Sequence, residues 1–273
     1  GYWMLERKPR LESKVAIVTG AGSSGPGGGS GKAISTLFAR EGCSVLLVDR
    51  EASRAEETLA GIQKEGGEAS VIEADVTRAS DCGKIVEEVV QRYGRLDILV
   101  NNVGITLPGT VVDVTEDVWD QVLDVNLKSM MLSSKYSVPR MQEGGGGSIV
   151  NISSILAIRS GGGFDSAPYI VSKGGVVSLT ISLASNYGAD NIRANAILPG
   201  FIYTPMVAGN LTEEARDLRR RTAPLGTEGT AWDVAWAAVF LASDESRWVT
   251  GIVLPVDAGV TITTPLTMLD RLR

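Results

Sequence analysis

The chain has 273 residues, of which 44% are hydrophobic, 21% charged and 5% aromatic, a composition that sustains a large buried core and excludes a disordered chain. Thirty-two acidic against 26 basic side chains leave a net charge of −6, so neither a nucleic acid nor an anionic membrane surface is an expected partner. Histidine is absent, which excludes Ser-His-Asp and Cys-His catalysis, and two cysteines, Cys43 and Cys82, make neither a disulfide framework nor a metal cluster.

In chain order, apolar β-rich runs occur at 15–19, 44–48, 69–74, 96–100, 148–152, 193–198 and 252–256. Between them lie helical patterns, one beginning near Lys32 and others at 52–65, 80–92, 118–141, 169–187 and 232–242. The strands are apolar at nearly every position, as expected when both faces of a sheet are covered. This alternation predicts an α/β fold: one doubly wound, Rossmann-like domain over 11–261, with a seven-stranded, mostly parallel sheet and helices on both faces. Residues 1–10 are then an N-terminal extension and 262–273 a C-terminal tail. No run approaches the length needed to span a bilayer, and a reducing, cytoplasmic compartment is expected. Glycine concentrates at 20–31, 144–147 and 161–163, all read as loops, the second as the exit from a long helix.

The first strand runs into Thr19-Gly20 and a glycine-rich stretch that ends at Gly31, where a helix begins. Such a turn lets backbone N–H groups and a helix N-terminus approach a pyrophosphate. Asp49 closes the second strand, where a carboxylate can accept both hydroxyls of an adenine ribose and repel a 2′-phosphate. Arg50, next to it, could instead offer a 2′-phosphate a cation. Tyr169 and Lys173 are four apart in a helical pattern and so share a face, where an ammonium near the phenol would lower its pKa toward working pH and make it a usable proton acceptor.

With these motifs in this order, the chain resembles the short-chain dehydrogenase/reductase family over roughly residues 11–261. The resemblance is carried by Thr19-Gly20 with the glycine loop, Asp75-Val76, Asn101-Asn102-Val103-Gly104, Asn126, Ser154, Tyr169 with Lys173, and Pro199-Gly200. It implies a nicotinamide-dependent enzyme acting on a small-molecule secondary alcohol or ketone, needing no metal, with NAD the expected cofactor and NADP the lesser alternative. Tyr169 is then the general acid/base, Lys173 lowers its pKa and holds the nicotinamide ribose, Ser154 polarises the substrate oxygen, and Asn126 supports a water relay. Gly20, Gly29, Gly31, Asp49 and Arg50 fall to the cofactor's phosphate and adenosine side. Asp75 and Val76 fall at the adenine, Asn102 and Gly104 beside the adenosine ribose, and Pro199, Gly200, Ile202 and Thr204 against the nicotinamide.

A homotetramer or homodimer is also implied. Matching the family's loop requires Gly29 and Gly31 as its later glycines, with five extra residues between Ala21 and Gly28; a second literal fit from Gly25 starts too late relative to the strand. Arg159 is a minor candidate for an anionic substrate. Arg216, Arg219, Arg220 and Arg221 read as a solvated helix face in a polar, lid-like segment, while Ile105, Leu107, Ile155 and Met206 suggest a partly hydrophobic substrate. Two readings remain beside the main one: an NADPH-dependent ketone reductase of the 3-oxoacyl carrier type, and a non-catalytic NAD-binding regulatory protein.

Overall fold

In the computed structural model, residues 8–23, 28–161, 165–204, 211–264 and 267–269 are described. Seven strands form because each apolar run is flanked by elements that cover it on both faces: β1 (Val15–Thr19), β2 (Ser44–Asp49), β3 (Ala69–Glu73), β4 (Ile98–Asn101), β5 (Gly147–Ile152), β6 (Ile192–Pro199) and β7 (Val253–Val256). They make one sheet of order β3-β2-β1-β4-β5-β6-β7, and every pairing is parallel.

The helices are α1 (Ser30–Arg40), α2 (Ala52–Lys64), α3 (Ala79–Tyr93), α4 (Glu116–Leu123), α5 (Ser129–Glu143), α6 (Ala167–Tyr187), α7 (Glu213–Thr222) and α8 (Ala231–Ala242). Alternate residues of each central strand serve opposite layers. Ala16, Val18, Val45 and Leu47 pack with Leu37 of α1 and Val234 of α8, while Ile17, Leu46 and Val48 pack with Ile85 of α3 and Met141 of α5. Period-two burial on both sides explains why the runs read as continuously apolar.

Two sequence expectations change here. The helix expected over 118–141 is divided between α4 and α5 by a π-helical turn at Asp124–Lys128, which carries Asn126. And Ala167–Asp190, α6 with its closing 3-10 turn, is long and apolar enough by length and composition to cross a membrane, at a mean hydropathy of 1.2, contrary to the expectation that no run was. This helix buries Ser172, Lys173, Val176, Thr180 and Leu183, so its apolar character belongs in part to the core layer.

The strand order reverses between β1 and β4, and the chain leaves these neighbouring strands in opposite directions at their carboxyl ends. That geometry opens a crevice there, the usual ligand position in an open α/β sheet.

Candidate active site

The crevice begins at Gly20, whose φ of +63° a side chain would strain. Thr19 pins the turn from below, donating its hydroxyl to the Val100 carbonyl at 3.3 Å and accepting the Asn102 N–H at 3.0 Å. The Asn102 side-chain amide donates to the Gly20 carbonyl at 3.1 Å, so this residue braces the turn across the β1–β4 gap. A Cβ on Gly31 would collide with that same Gly20 carbonyl, so α1 can dock here only on a glycine. Gly29 is the N-cap of α1, has open space around it, and supplies no side-chain cap, which leaves the first-turn N–H groups available. Gly31 thus packs directly on Gly20, while the alternative start at Gly25 lies outside the described residues.

Asp49 stands at the end of β2 with one carboxylate oxygen accepting the Gly22 N–H at 3.0 Å and the other accepting the Glu51 N–H at 3.1 Å. A Cβ on Gly22 would come within 2.7 Å of that carboxylate, a requirement for glycine that the sequence analysis missed. Arg50 is exposed beside it. Asp75 holds a turn, accepting the Thr77 N–H at 3.0 Å and hydroxyl at 2.7 Å; burial pushes its pKa up, but these bonds and Arg78 outweigh that and leave it below the ordinary value. Val76 is buried and packs with Cys82 in the core layer.

A cavity of about 210 Å³ gathers Ser30, Asn102, Gly104, Ser154, Tyr169 and Lys173 with Pro199, Gly200, Ile202 and Thr204. Ser154 caps the short turn Ile155–Ala157, accepting the Leu156 N–H at 3.2 Å, and its hydroxyl hydrogen-bonds the Tyr169 phenol. Ser153 points elsewhere, donating to the Lys173 backbone carbonyl at 2.8 Å, so it anchors α6 and leaves Ser154 to face Tyr169. Lys173 is buried, donates to the Ile152 carbonyl at 3.0 Å, and lies 5.7 Å from the centre of the Tyr169 ring.

The electrostatics differ from the expectation drawn from spacing. Burial raises the Tyr169 pKa, with the Ser154 hydrogen bond acting in the opposite direction, and the balance is upward. Burial pushes Lys173 itself down to about 8. The i, i+4 arrangement sets the two groups on one face, with a desolvated ammonium bonded to Ile152 and 5.7 Å from the ring centre, and burial of the phenol outweighs what lowers its pKa.

Asn126 is fully buried on the π-helical turn. It accepts the Ile105 N–H at 2.7 Å, donates to the Ile105 carbonyl at 2.9 Å and donates to the Ser172 hydroxyl at 3.0 Å; Ser172 in turn donates to the Tyr169 carbonyl at 2.7 Å. One side chain thus ties the loop after β4 to α6. A Cβ on Gly104 would sit 3.2 Å from the Lys173 ammonium and 3.6 Å from the Asn126 carbonyl oxygen, so the glycine leaves room for both groups. Behind them a buried ladder runs from Asn101 to Asn151 at 2.8 Å and from Asn151 to Thr180 at 2.9 Å, fixing β4, β5 and α6 together.

On the far wall, a Cβ on Gly200 would lie 2.6 Å from the Asp257 side chain, and the Gly200 N–H donates to Val256 at 2.9 Å. Ile155 also lines the cavity, but Ile105 and Leu107 use their backbones to hold Asn126 and Ser166. Met206 lies outside the described residues. Arg159 donates to the backbone carbonyls of Thr261 and Ile158, both at 2.9 Å, and is a strut between segments. Arg219 is the surprise: it lines the cavity instead of belonging to a solvated helix face, with Phe201 5.2 Å away. Helical periodicity placed it among charged neighbours, and nothing in that pattern separates it from Arg220 or Arg221.

Comparison with known proteins agrees with this arrangement. A family profile described as enoyl-(acyl carrier protein) reductase matches residues 27–261. The chain is 41% identical over 253 residues to the 3-oxoacyl-(acyl-carrier-protein) reductase of Thermotoga maritima, covering 93% of this chain and 100% of the relative. It is 38% identical over 259 residues to the 7alpha-hydroxysteroid dehydrogenase of Clostridium sardiniense, covering 94% and 96%. The crystal structure of a short-chain dehydrogenase/reductase from Burkholderia xenovorans superposes with a TM-score of 0.89 at 41% identity, covering 94% of this chain and 99% of that one. A parallel seven-stranded sheet, its glycine turn, and a matching profile and relatives along nearly the whole length together establish that this chain is an oxidoreductase of the short-chain dehydrogenase/reductase family.

Proposed function

We propose that the protein is an NAD-dependent dehydrogenase interconverting a secondary alcohol and a ketone, with Tyr169 as general acid/base. The observation that carries this reading is the convergence of Ser154, Tyr169 and Lys173 in one cavity that also receives the start of α1. The glycine turn fits a dinucleotide: Gly31 packs on Gly20 where a side chain would collide, Gly29 leaves open space, and the α1 N-terminus has no acidic residue in its first turn. Gly20, Gly29 and Gly31 would hold the pyrophosphate, Asp49 the adenine ribose, and Lys173 the nicotinamide ribose. Asp75, Val76, Asn102 and Gly104 would border the adenosine, and Pro199, Gly200, Ile202 and Thr204 the nicotinamide. The nicotinamide, when bound, supplies or accepts the hydride.

The chain's own groups handle the oxygen. Tyr169 gives its phenolic proton to the carbonyl oxygen during reduction and takes it back from the hydroxyl during oxidation. Ser154, already bonded to that phenol, offers a second donor at the same oxygen. A phenol kept above its ordinary pKa is protonated at neutral pH and is ready to act as the acid. Asn126 holds the loop after β4 against α6 and supports proton relay from behind.

NAD follows from Asp49, a carboxylate with lone pairs remaining after its two backbone bonds and a charge that opposes a 2′-phosphate. The reductive alternative with NADPH is supported by exposed Arg50 and by the name of the Thermotoga relative. Titration with NADH and NADPH, followed by nicotinamide fluorescence, separates them: NADH binds at least tenfold tighter if Asp49 decides, and Asp49→Asn narrows the gap. Tyr169→Phe should bind cofactor normally and lose turnover; full activity in this variant sinks the catalytic reading, and an unaltered biological output without turnover favours a regulatory protein.

The single domain over 11–261 and a homotetramer or homodimer belong to the same proposal. Exposed Met131 on α5 and Val171 and Ile181 on α6 give an apolar face for self-association, which sedimentation velocity would test.

A further inference from the structure

The catalytic cavity is lined by two charged side chains among the described residues, Lys173 and Arg219, and by no carboxylate, in a chain whose net charge is −6. Lys173 is committed to Ile152. Arg219 is not committed in this way: among the described residues no hydrogen bond or ion pair engages its guanidinium, although carboxylates are close by. Each of those is already taken. Glu228 is bound in a two-pronged pair by Arg216 at 2.9 and 2.6 Å, Asp233 accepts the Thr230 N–H at 2.7 Å, and Asp257 accepts the N–H groups of Gly259 and Thr261 at 2.9 and 2.8 Å. Arg220 and Arg221, its neighbours on α7, both pair with Asp217. The structure therefore spends its acids on other partners and leaves one half-buried arginine, fixed beside the Phe201 ring, aimed at the cavity.

We propose that Arg219 is a specificity residue that binds a carboxylate carried by the alcohol or ketone substrate; this rests on the reading of Tyr169 as the reacting group. A partly desolvated guanidinium without an acid partner is stabilised by an incoming carboxylate, which it can grip with two parallel N–H donors. Its pKa is lowered by burial and raised by Glu228, the balance being downward, as expected of a cation held short of a counter-ion. The cofactor's pyrophosphate is the competing source of negative charge. Arg219 lies against the Gly200–Phe201–Ile202 wall, at the nicotinamide end of the cavity where the substrate must also sit, rather than with the glycine turn, which favours the substrate; it also borders a second cavity whose carboxylates, Glu228, Asp233 and Asp257, are the ones already engaged.

The test uses the full chain saturated with NAD+, which cannot reduce a ketone, and three probes in which the ketone and carboxylate are progressively separated, 3-oxobutanoate, 4-oxopentanoate and 5-oxohexanoate, each beside its ethyl ester, with turnover followed separately in NADH. Calorimetric titration should show at least one acid binding about 10- to 100-fold tighter than its ester. Arg219→Gln should bring that ratio to near one without altering ester or NADH affinity, and Arg219→Lys should keep part of it. Equal binding of acid and ester, a preference that survives in Arg219→Gln, or no binding of any probe overturns the proposal. So does a tenfold loss of NADH affinity in Arg219→Gln, which would give the arginine to the pyrophosphate. Turnover separates this result from the parent reading: an acid that binds through Arg219 but is not reduced defeats the role of Tyr169 alone, whereas an ester that is reduced without any acid preference defeats the role of Arg219 alone.

Discussion

Replacing Lys173 with methionine should stabilise the fold at neutral pH while abolishing turnover. The lysine is buried, and burial lowers its pKa from 10.5 to about 8, which corresponds to about 3 kcal/mol of cost for keeping the ammonium in the fold. Methionine fills the same channel without charge but leaves the Ile152 carbonyl without its 3.0 Å donor, a loss of about 1–3 kcal/mol. The balance is a gain of up to about 2 kcal/mol at pH 7, or up to a few degrees in Tm for a chain of this size. Its sign depends on pH in a defined way. The native state binds fewer protons than the unfolded state between pH 8 and 10.5, so wild-type stability climbs through that window and the variant's advantage is full below pH 8 and gone above 10.5. Above it, only the unpaired carbonyl remains and the variant is the less stable protein. Urea unfolding of both proteins at pH 7, 9 and 10.5 measures the difference, and a difference that stays flat across the series would refute the claim that the buried ammonium is costly.

Ser154→Ala removes a hydrogen bond that draws the Tyr169 pKa down, so the alkaline rise of the oxidation rate should move to higher pH, with kcat falling about 10- to 100-fold in stopped-flow assays. Gly31→Ala drives a methyl into the Gly20 carbonyl and should cost several kcal/mol or prevent folding, whereas Gly29→Ala, with open space around it, should change denaturant stability by less than about 1 kcal/mol. Asn126→Ala severs three buried hydrogen bonds between the loop after β4 and α6; a loss of about 2–4 kcal/mol and faster amide exchange at Ile105 are expected, and unchanged exchange would show that the clasp is dispensable.

The strands were legible because covering a sheet on both faces leaves an uninterrupted apolar run, a signal that needs no knowledge of the partner elements. Gly20, Gly29, Gly31 and the Tyr169–Lys173 pair were legible because a glycine requirement and a four-residue spacing are local. The π-helical turn at Asn126 was not, since one extra residue per turn leaves the apolar pattern of 118–141 intact. Gly22 escaped because its constraints are Arg54 and the Asp49 carboxylate, distant in sequence. The direction of the Tyr169 pKa was misjudged for the same reason: spacing reveals that an ammonium is near, but burial of the phenol and the bond from Lys173 to Ile152 are tertiary facts. Arg219 differs from its helix neighbours only in what lies opposite it.

The acids along the carboxyl edge of the sheet follow one pattern that accounts for the charge of the cavity. Asp49 at the end of β2, Asp75 after β3 and Asp257 after β7 each hold loop backbone N–H groups, Asp49 those of Gly22 in the loop after β1 and of Glu51, Asp75 that of Thr77, and Asp257 those of Gly259 and Thr261. A carboxylate held by backbone dipoles stabilises its turn while part of its charge is offset locally. Three strand ends are thereby fixed by acids whose charge is directed into loop backbone, and the space between them is left to Lys173, Arg219 and the uncapped start of α1. An acidic protein can in this way present a locally cationic crevice. Exchanging one of these turn acids for asparagine tests that division: the amide removes the charge and keeps one acceptor oxygen, so at Asp257, where each oxygen accepts a backbone N–H, one of the two bonds is lost with it. Asp257→Asn, adjoining Gly200 and Arg219, should cost about 1–3 kcal/mol for the lost turn bond and tighten binding of an anionic probe in the cavity; weaker binding would mean that the carboxylate positions the wall rather than opposing the anion.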